Sequence, residues 1–373
     1  LYLGATGFVG KVVLEKILRS VPGINSVFVL VRPRKGSSTQ ERLDAEVISS
    51  PIFTRLRGER KDFDTFVRSK VVPVAGELTQ SNVGFSEETL EMLYDRVDVI
   101  IHCAAIVDFN ERLDRAIELN VLGTLRLMEI AKRCRHIGAF VHVSTAYVNS
   151  NRRGWIDEKV YPLGFDPEQV LKNVANMQAS ELEKITVSGL LGDWPNTYTF
   201  TKAMTETLLL KNRGKVPLAI VRPSIIGAAW KEPMPGWIDV ISAAAAVYVA
   251  VGLGVLKFLP GTEMSIADIT PVDYVVATIL TAVPTIMNQD RFTVMQACTS
   301  VEKPLRWGVP LSVRMGLVCR SFHRCLVLDR IGDVNVVSPQ LYQLEFFLRY
   351  SVPSSILNTV ATLAPAQRAK ASE

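Results

Sequence analysis

Tyr198 and Lys202 have the residue types and the spacing of an acid–base pair. Side chains at positions i and i+4 lie on one face of a helix, and the local pattern predicts a helix that runs to about Lys211. The chemistry that suits such a pair is proton transfer to or from a substrate oxygen. Because the ordinary pKa of tyrosine is about 10, we expect the neighbouring ammonium to lower the pKa of the Tyr198 phenol. The same spacing occurs by chance in many helices, so its weight depends on the fold around it.

A hydroxyl at the end of a nearby strand would complete a catalytic set. Ser144 and Thr145 follow the apolar run Ala139–Val143, which predicts a strand. A hydroxyl in this position can hydrogen-bond to the oxygen of a substrate carbonyl. Strand pleating sends the two side chains to opposite faces, so only one of them can do so. We favour Thr145 and keep Ser144 as the alternative, while a loop or helix cap is the non-catalytic interpretation of either.

The segment Gly4–Gly10, with the sequence Gly-Ala-Thr-Gly-Phe-Val-Gly, joins the first predicted strand to the first predicted helix. Gly4 permits a tight turn, Gly7 lets the backbone approach a pyrophosphate, and Gly10 lets the helix pack on the strand. A plain strand–helix turn is the alternative, but strand, spacing and helix agree here with a dinucleotide site at the helix N-terminus. Lys202 can then also bind the nicotinamide ribose, and an oxidised nicotinamide would help to lower the tyrosine pKa.

The end of the second predicted strand indicates which dinucleotide is bound. An NAD-specific site usually has an acidic residue there, which accepts hydrogen bonds from the ribose hydroxyls. This chain instead reads Val-Arg-Pro-Arg-Lys from Val31 to Lys35. A guanidinium stacks on adenine and pairs with a 2′-phosphate, which a carboxylate would repel. We therefore expect NADPH as the cofactor, with Arg32 at the 2′-phosphate; a solvated basic loop is the alternative.

Short apolar runs alternate with amphipathic segments along the chain, as in βαβ units. The predicted strands are Leu1–Leu3, Val27–Val31, Val71–Val74, Val97–His102, Ala139–Val143, Leu218–Arg222 and Phe292–Gln296. The predicted helices among the first five strands are Lys11–Ser20, Thr39–Ser49, Ser86–Tyr94 and Leu113–Cys134. Uninterrupted apolar strands are typical of a parallel sheet that is buried on both faces. We expect an α/β fold with a doubly wound parallel Rossmann-type sheet, a smaller mainly helical substrate region and a C-terminal helical tail.

The predicted domain boundaries follow from where the strand–helix alternation stops. We expect residues 1–300 to form a nucleotide-binding domain, with a helical insertion at about 150–192 and a substrate-binding portion at about 228–270. Residues 301–373 then form a partial C-terminal helical region. The uncharged run Val240–Leu256 is short for a membrane span, which needs about 20 apolar residues. We expect a buried or membrane-apposed helix there, with a span as the alternative.

Composition excludes several classes of protein. The chain has 42 basic and 37 acidic residues, a net charge of +5 without a long basic run, so no nucleic-acid partner is expected. Its 5 scattered cysteines and 4 histidines form neither a disulfide framework nor a metal motif, so we expect no metal. Cysteines of this kind are typical of a reducing compartment. We expect an intracellular protein, with association to an endoplasmic reticulum or peroxisomal membrane left open.

Taken together, these motifs resemble the fatty acyl-CoA reductase family within the extended short-chain dehydrogenase/reductase superfamily. The segments that carry the resemblance are Gly4–Ser20, Val29–Pro33, Gly36, Glu41–Leu43, Ile101–Phe109, Asn120–Thr124, His142–Asn149, Trp194–Glu206, Ile220–Ile226, Glu232–Pro233 and Pro235–Trp237. The resemblance covers about Leu1–Val283. Cys298–Ser300 and Leu305–Trp307 are similar to the entry into the C-terminal helical domain of the family.

The resemblance implies which residues hold the cofactor. The residues implied are Thr6, Gly7, Phe8 and Val9 at the pyrophosphate, Arg32 at the 2′-phosphate, Glu77 near the adenine, Cys103, Ala104 and Ala105 along the adenosine, and Pro223, Ser224 and Ile225 at the carboxamide. Asn120 is implied to support a proton-relay water, with a polar contact within a helix as the alternative. Leu3 stands where the family usually has threonine, so we expect cofactor binding to be weakened but not abolished. His102, His142 and Cys103 are expected to be core or lining residues.

The resemblance implies NADPH-dependent reduction of a long-chain fatty acyl-CoA through an aldehyde to a primary alcohol. Thr145 would polarise the carbonyl oxygen, and Tyr198 would donate the proton. The run Val240–Leu256 would line the acyl channel or lie against a membrane. Two alternatives remain, namely another extended reductase that acts on a different carbonyl, such as a carrier-protein thioester, and a weakly catalytic NADPH-binding lipid protein. The oligomeric state is not predicted.

Overall fold

The structure, a computed structural model, describes residues 1–188, 191–253, 256–287, 291–308 and 335–346. The strands are β1 (Tyr2–Leu3), β2 (Val27–Val31), β3 (Val71–Ala75), β4 (Val99–His102), β5 (Ala139–Val143), β6 (Leu218–Pro223), β7 (Ile225–Gly227), β8 (Phe258–Pro260), β9 (Ile269–Pro271), β10 (Phe292–Ala297) and β11 (Asn335–Val337). The helices are α1 (Phe8–Ser20), α2 (Thr39–Leu43), α3 (Thr54–Glu59), α4 (Phe63–Lys70), α5 (Glu87–Arg96), α6 (Leu113–Ala116), α7 (Gly123–Arg133), α8 (Pro167–Ala175), α9 (Ala179–Ser188), α10 (Thr197–Asn212), α11 (Ala243–Gly252), α12 (Val272–Ile286) and α13 (Pro339–Phe346). Short 3₁₀ or π segments are Asp44–Ile48, Pro51–Phe53, Ser81–Gly84, Ile117–Leu122 and Ala146–Asn149.

The main sheet has seven strands in the order β3-β2-β1-β4-β5-β6-β10. Every neighbouring pair in it is parallel. This arrangement confirms the doubly wound Rossmann-type fold. The strand order reverses between β1 and β4, and in such sheets ligands bind in the crevice outside the carboxyl ends of the strands at that point.

Two hydrophobic cores cover the two faces of the sheet. Alternate residues of a strand point to opposite faces, so Val141 of β5 joins the core beneath α1 and α12, whereas Phe140 joins the core beneath α5 and α7. All five residues of β2 and all six of β6 are buried, which is why their apolar runs show no polar alternation. The region of the predicted insertion contains α8 and α9.

Two compact units account for the chain. The first contains Leu1–Val240 and Ile269–Cys298, and the second contains Ile241–Asp268 together with the described part of Thr299–Glu373. Residues 241–268 thus group with the C-terminal segment, whereas the prediction placed them within residues 1–300.

The second unit contains helix α11, a small parallel sheet of β8 and β11, and helix α13. The expected helical region from residue 301 onward also contains a strand, β11, because pairing with the distant β8 supplies hydrogen bonds that a three-residue run cannot signal alone. The rest of the predicted helical tail, residues 309–334 and 347–373, lies outside the described residues. Helix α11 occupies ten residues of the run Val240–Leu256. Over the described ranges, no helix has both the length and the apolar character that crossing a membrane requires.

Helix α1 is seated closely against the turn that follows β1. Gly4 has a φ of +96°, and a Cβ on it would lie 2.8 Å from the backbone nitrogen of Ala104. A Cβ on Gly10 would lie only 1.9 Å from the carbonyl oxygen of Gly4. The Tyr2 hydroxyl donates a 2.8 Å hydrogen bond to the Gly10 carbonyl from the strand side. Only glycine fits at position 10 with the helix in this place.

We therefore expect Gly10→Ala to lower the free energy of unfolding by more than about 2 kcal/mol, because helix α1 must move away from the turn. Gly23→Ala is the matched control, since a Cβ there meets no atom within 4 Å among the described residues. Thermal unfolding monitored by circular dichroism measures both variants, and the control should stay within about 0.5 kcal/mol of the parent. Equal stability of the two variants would contradict the close approach.

Candidate active site

Helix α10 places Tyr198 and Lys202 at the carboxyl ends of the central strands. The Asn196 side chain accepts a 2.9 Å hydrogen bond from the Thr199 backbone N–H, and this cap fixes where the helix begins. Lys202 is buried, and its Nζ donates a 2.7 Å hydrogen bond to the carbonyl oxygen of Val143, the last residue of β5. The ammonium therefore ties the catalytic face of the helix to the end of a strand.

Thr145 is the hydroxyl that the structure brings to the tyrosine. The Thr145 side chain interacts with the Tyr198 phenol and acts to lower its pKa. Thr145 also accepts a hydrogen bond from the Tyr147 N–H at 3.3 Å and thereby caps the short turn Ala146–Asn149. The non-catalytic interpretation of Thr145, as a cap, is therefore correct too. Ser144 is buried, and its Oγ has no hydrogen-bond partner among the described residues. Which hydroxyl is catalytic stays a prediction, and the geometry favours Thr145.

The expected lowering of the Tyr198 pKa is wrong for the protein itself. Burial raises the pKa of the Tyr198 phenol to about 12, and the interaction with Thr145 opposes this only in part. Lys202 directs its ammonium at the Val143 carbonyl. Burial lowers the pKa of Lys202 to about 8, while Cys103 and Glu206 act in the opposite direction. At neutral pH the site therefore holds a protonated phenol and a charged ammonium, which is the state that proton donation requires.

Phe109 is a neighbour of the tyrosine that the sequence did not single out. Its ring lies 6.0 Å from the Tyr198 ring between centroids, with 29° between the planes. Phe109 is 57% exposed, although the Thr197 hydroxyl holds its carbonyl oxygen at 3.3 Å. An aromatic residue in the loop that follows a predicted strand is the sequence signal that could have identified Phe109. It presents an apolar surface beside the phenol.

Asn120 fastens the loop after β4 to helix α10. Its Oδ1 accepts from the Ile106 N–H at 2.9 Å, and its Nδ2 donates to the Ile106 carbonyl at 3.1 Å and to the Thr201 hydroxyl at 3.2 Å. The residue lies in the π-helical turn Ile117–Leu122, a geometry often found at functional sites. Both amide protons are thus engaged with protein groups. The structure favours the polar-contact alternative, and a cofactor contact or water relay stays a prediction.

The start of α1 fits the phosphates of a dinucleotide. Gly7 precedes the helix with extended backbone, and no side chain among the described residues caps this helix start. The first turn also carries no acidic residue that would compete with a bound anion. Thr6 and Gly7 are exposed, and Phe8 and Val9 present their backbone in the first turn. With Gly4 and Gly10 leaving no room for side chains, this is a cradle for an anion at the positive end of a helix dipole.

Arg32 and Glu77 lie together at the carboxyl ends of the neighbouring strands β2 and β3. Their side chains approach to 3.9 Å between Nε and Oε2, a distance at the outer limit of an ion pair. The Arg32 side chain is 65% exposed, and its backbone carbonyl accepts a hydrogen bond from Arg42. A solvated loop and a phosphate contact are both compatible with this exposure. The exposed guanidinium is accessible to a ligand.

The remaining predicted cofactor residues follow strands at the same edge. Cys103, Ala104 and Ala105 follow β4, and the Cys103 N–H donates to the Leu3 carbonyl at 2.9 Å. Burial raises the pKa of the Cys103 thiol to about 12, so it is poorly suited as a nucleophile. Leu3 itself is fully buried in the core.

Pro223, Ser224 and Ile225 lie at the end of β6 and the start of β7. The Ser224 backbone N–H donates to Ala297 at 3.2 Å, and its hydroxyl is 2.8 Å from that of Thr270. Apart from Asn120 and Lys202, which lie on helical segments, the structure therefore brings the predicted cofactor residues to the carboxyl ends of five strands, β1, β2, β3, β4 and β6.

His102 and His142 are fully buried side by side on β4 and β5, with ring centroids 5.3 Å apart. The ring Nε2 of His102 lies 2.9 Å from the Thr124 hydroxyl. Burial lowers the pKa of His102 to about 3 and that of His142 well below its ordinary range, so both rings are neutral. They are core residues here. Over the described residues, no group of three histidine, cysteine or acidic side chains could hold a metal ion.

Comparison with known proteins places this geometry in a family. The family described as male sterility protein, an NAD-binding domain, matches residues 3–279. Fatty acyl-CoA reductase 1 of Mus musculus is 44% identical over 310 residues, which cover 83% of this chain and 59% of that protein. Fatty acyl-CoA reductase 2 of Bos taurus is 36% identical over 319 residues, covering 85% of this chain and 60% of that protein. The chain thus spans about three fifths of the length of these relatives.

Solved structures share the fold at lower identity. The terminal R domain of the myxalamid PKS-NRPS pathway aligns with a TM-score of 0.58 at 23% identity, covering 82% of this chain and 66% of that one. A thiolation-reductase di-domain from an archaeal non-ribosomal peptide synthetase aligns with a TM-score of 0.61 at 18% identity, covering 94% and 63%. The family match and the sheet topology lead to one conclusion. The chain carries an NAD(P)-binding domain and belongs to the male sterility protein family, and over 83% of its length it is similar to fatty acyl-CoA reductase 1.

Proposed function

We propose that the protein reduces long-chain fatty acyl-CoA to a primary fatty alcohol, with NADPH as the cofactor. The observation that carries the proposal is the placement of Tyr198, Thr145 and Lys202 at the strand ends, in a chain similar to fatty acyl-CoA reductase 1. The anion cradle at the start of α1 lies at the same edge of the sheet. The activity named for the relatives is the source of the substrate class.

The protein's part in the reaction is to hold the carbonyl and supply a proton. When bound, the cofactor supplies a hydride to the thioester carbon and later to the aldehyde carbon. The Thr145 hydroxyl polarises the substrate oxygen, and the Tyr198 phenol gives its proton to that oxygen as negative charge develops there. A pKa of about 12 suits this direction, because the phenol stays protonated until a strongly basic oxygen forms. The Lys202 ammonium can hold the ribose hydroxyls while it contacts Val143.

NADPH rather than NADH is proposed on the charge at the end of β2. Arg32 is exposed and follows the strand where an acidic residue would select NADH. The adjacent Glu77 is 3.9 Å away, and a 2′-phosphate would compete with it for the guanidinium.

We further propose an intracellular location, with the protein against an endoplasmic reticulum or peroxisomal membrane. Support comes from the apolar residues at the start of the α11 segment, where Ile241 is 75% exposed. A lipid substrate also favours a place at a membrane. Fluorescence microscopy of the tagged full-length protein tests this location, and a diffuse signal would contradict it.

The role of the phenol predicts the effect of Tyr198→Phe. Turnover of palmitoyl-CoA should fall by about 100-fold or more, because the proton donor is removed, while the cofactor Kd changes less than about twofold. Tyr274→Phe is the matched control, since this tyrosine is 55% exposed on α12. Steady-state oxidation of NADPH at 340 nm measures the rate. Retention of more than about a tenth of the activity would remove Tyr198 from this role.

The position of Arg32 predicts a change of cofactor preference in Arg32→Glu. The ratio of kcat/KM for NADPH over NADH should fall by about 100-fold, because the carboxylate repels the 2′-phosphate and accepts ribose hydroxyls. Lys61→Glu makes the same charge change at another exposed position and should leave the ratio unchanged. An unchanged ratio in Arg32→Glu would place the 2′-phosphate elsewhere.

The end product is expected to be the alcohol, with two NADPH oxidised for each CoA released. An aldehyde is more electrophilic than a thioester, so the same residues reduce it at least as readily. Apolar contacts with the acyl chain also retain it, since each buried CH₂ contributes about 0.8 kcal/mol. Gas chromatography of a reaction with excess NADPH identifies the product. Aldehyde as the main product, with one NADPH per CoA, would instead indicate an aldehyde-forming reductase.

A further inference from the structure

Glu206 and Arg222 form an ion pair in the interior next to the catalytic residues. The Arg222 Nε lies 3.0 Å from Glu206 Oε1, and Nη2 lies 2.5 Å from Oε2, so the pair is bidentate. Both side chains are almost fully buried, with exposures of 0% and 2%. Arg222 Nη2 also donates to the Lys159 carbonyl at 2.9 Å. The proposed reaction uses neither residue.

The position of the pair connects it to the site. Glu206 is one helical turn after Lys202 and two turns after Tyr198, so the three side chains lie on one face of α10. Lys202 contacts the end of β5 through Val143, and Glu206 contacts the adjacent strand β6 through Arg222. Successive turns of the helix are thus fastened to neighbouring strand ends.

A purely stabilising role does not explain such a pair. Taking two charges out of water costs free energy that their attraction often only balances, and well-packed apolar side chains are frequently as stable. The main effect of the pair is therefore to fix the positions of the Glu206 carboxylate and the Arg222 guanidinium in the interior, rather than to add net stability. The charge nearest in sequence on that helix face is the Lys202 ammonium.

We infer that Glu206 and Arg222 are positioning residues, which hold the catalytic face of α10 on the strand ends and place the Glu206 carboxylate one helical turn from the Lys202 ammonium. The inference rests on the proposed function only for its activity assay. Arg222 immediately precedes Pro223 and Ser224, so the same pair also fixes the backbone at the predicted carboxamide site.

The groups that interact with Lys202 support this electrostatic part. They are Cys103 after β4, Glu206 on the same helix, and His102 and His142 on β4 and β5, while Tyr198 lies one helical turn before Lys202. Burial keeps the tyrosine, the cysteine and both histidines in their neutral forms at neutral pH. Glu206, as the partner of Arg222, supplies the negative charge. Burial alone lowers the pKa of Lys202, and removal of this carboxylate would lower it further.

The first test is the pH profile of Glu206→Gln in the full chain. For the parent, kcat/KM for palmitoyl-CoA should decline on the alkaline side near the Lys202 pKa of about 8. In Glu206→Gln this alkaline limb should move down by about one pH unit, because the neutral amide no longer favours the ammonium. Glu168→Gln is the control, since it removes the exposed ion pair of Lys211 on the same helix. Its profile should match that of the parent.

Glu206→Gln leaves the Arg222 charge unpaired and could impair folding, so a second variant is included. Glu206→Met with Arg222→Met replaces the pair by apolar side chains of similar length, which buried positions tolerate. A folded double variant should also show a downward shift of the alkaline limb, smaller than in Glu206→Gln because the Arg222 cation is removed together with the carboxylate. A merely structural pair would change Tm and leave the limb in place, and that result in a folded variant would overturn the inference.

Cofactor binding separates this inference from the proposed function. The Kd of NADPH, measured by fluorescence quenching against pH, reports the charge on Lys202 without any acyl substrate. If the parent binds NADPH but does not reduce palmitoyl-CoA, the proposed function fails while the shift in the binding profile still tests the pair. If the pH dependence of Kd is the same in the parent and in Glu206→Gln, the pair has no influence on Lys202 and the inference fails.

Discussion

The contact of the Lys202 ammonium with the Val143 carbonyl is the constraint on which the site depends. It joins helix α10 to the end of β5 at 2.7 Å, and it sets where Tyr198 meets Thr145. A buried ammonium is costly unless it is hydrogen-bonded, so the helix has little freedom to move away from the strand. The cofactor cradle depends on a second close approach, between Gly10 and Gly4. Together these contacts place two halves of a reaction site at one edge of the sheet.

Burial shifts the pKa values of the titratable side chains at this edge of the sheet more than charge pairing does. It raises the pKa of Tyr198 and of Cys103 to about 12 and lowers that of Lys202 to about 8. The phenol is thus held as a proton donor and the thiol as an inert lining group. A reductase needs a donor that keeps its proton until the substrate oxygen becomes basic. The raised tyrosine pKa fits reduction better than the lowered value expected from the Tyr-x-x-x-Lys spacing.

Sequence patterns predicted the parts that depend on local periodicity. The boundaries of Val27–Val31 and Ala139–Val143 agree with the structure, because strands buried on both faces need unbroken apolar runs. The strand Asn335–Val337 was missed, since three residues form a strand only with a partner distant in sequence. The direction in which the Tyr198 pKa shifts was predicted wrongly, because residue spacing carries no information on burial. The bond between Glu206 and Arg222 likewise depends on how a helix meets a strand.

The most direct test of the account is the ionisation of the Tyr198 phenol itself. Difference absorbance at 295 nm between the parent and Tyr198→Phe, titrated with base, isolates this group from the other tyrosines. Tyr198 should stay protonated beyond pH 10, in keeping with a pKa of about 12 in the cofactor-free protein. Ionisation of Tyr198 below about pH 8 would contradict a burial-controlled proton donor and would favour a phenolate held by Lys202.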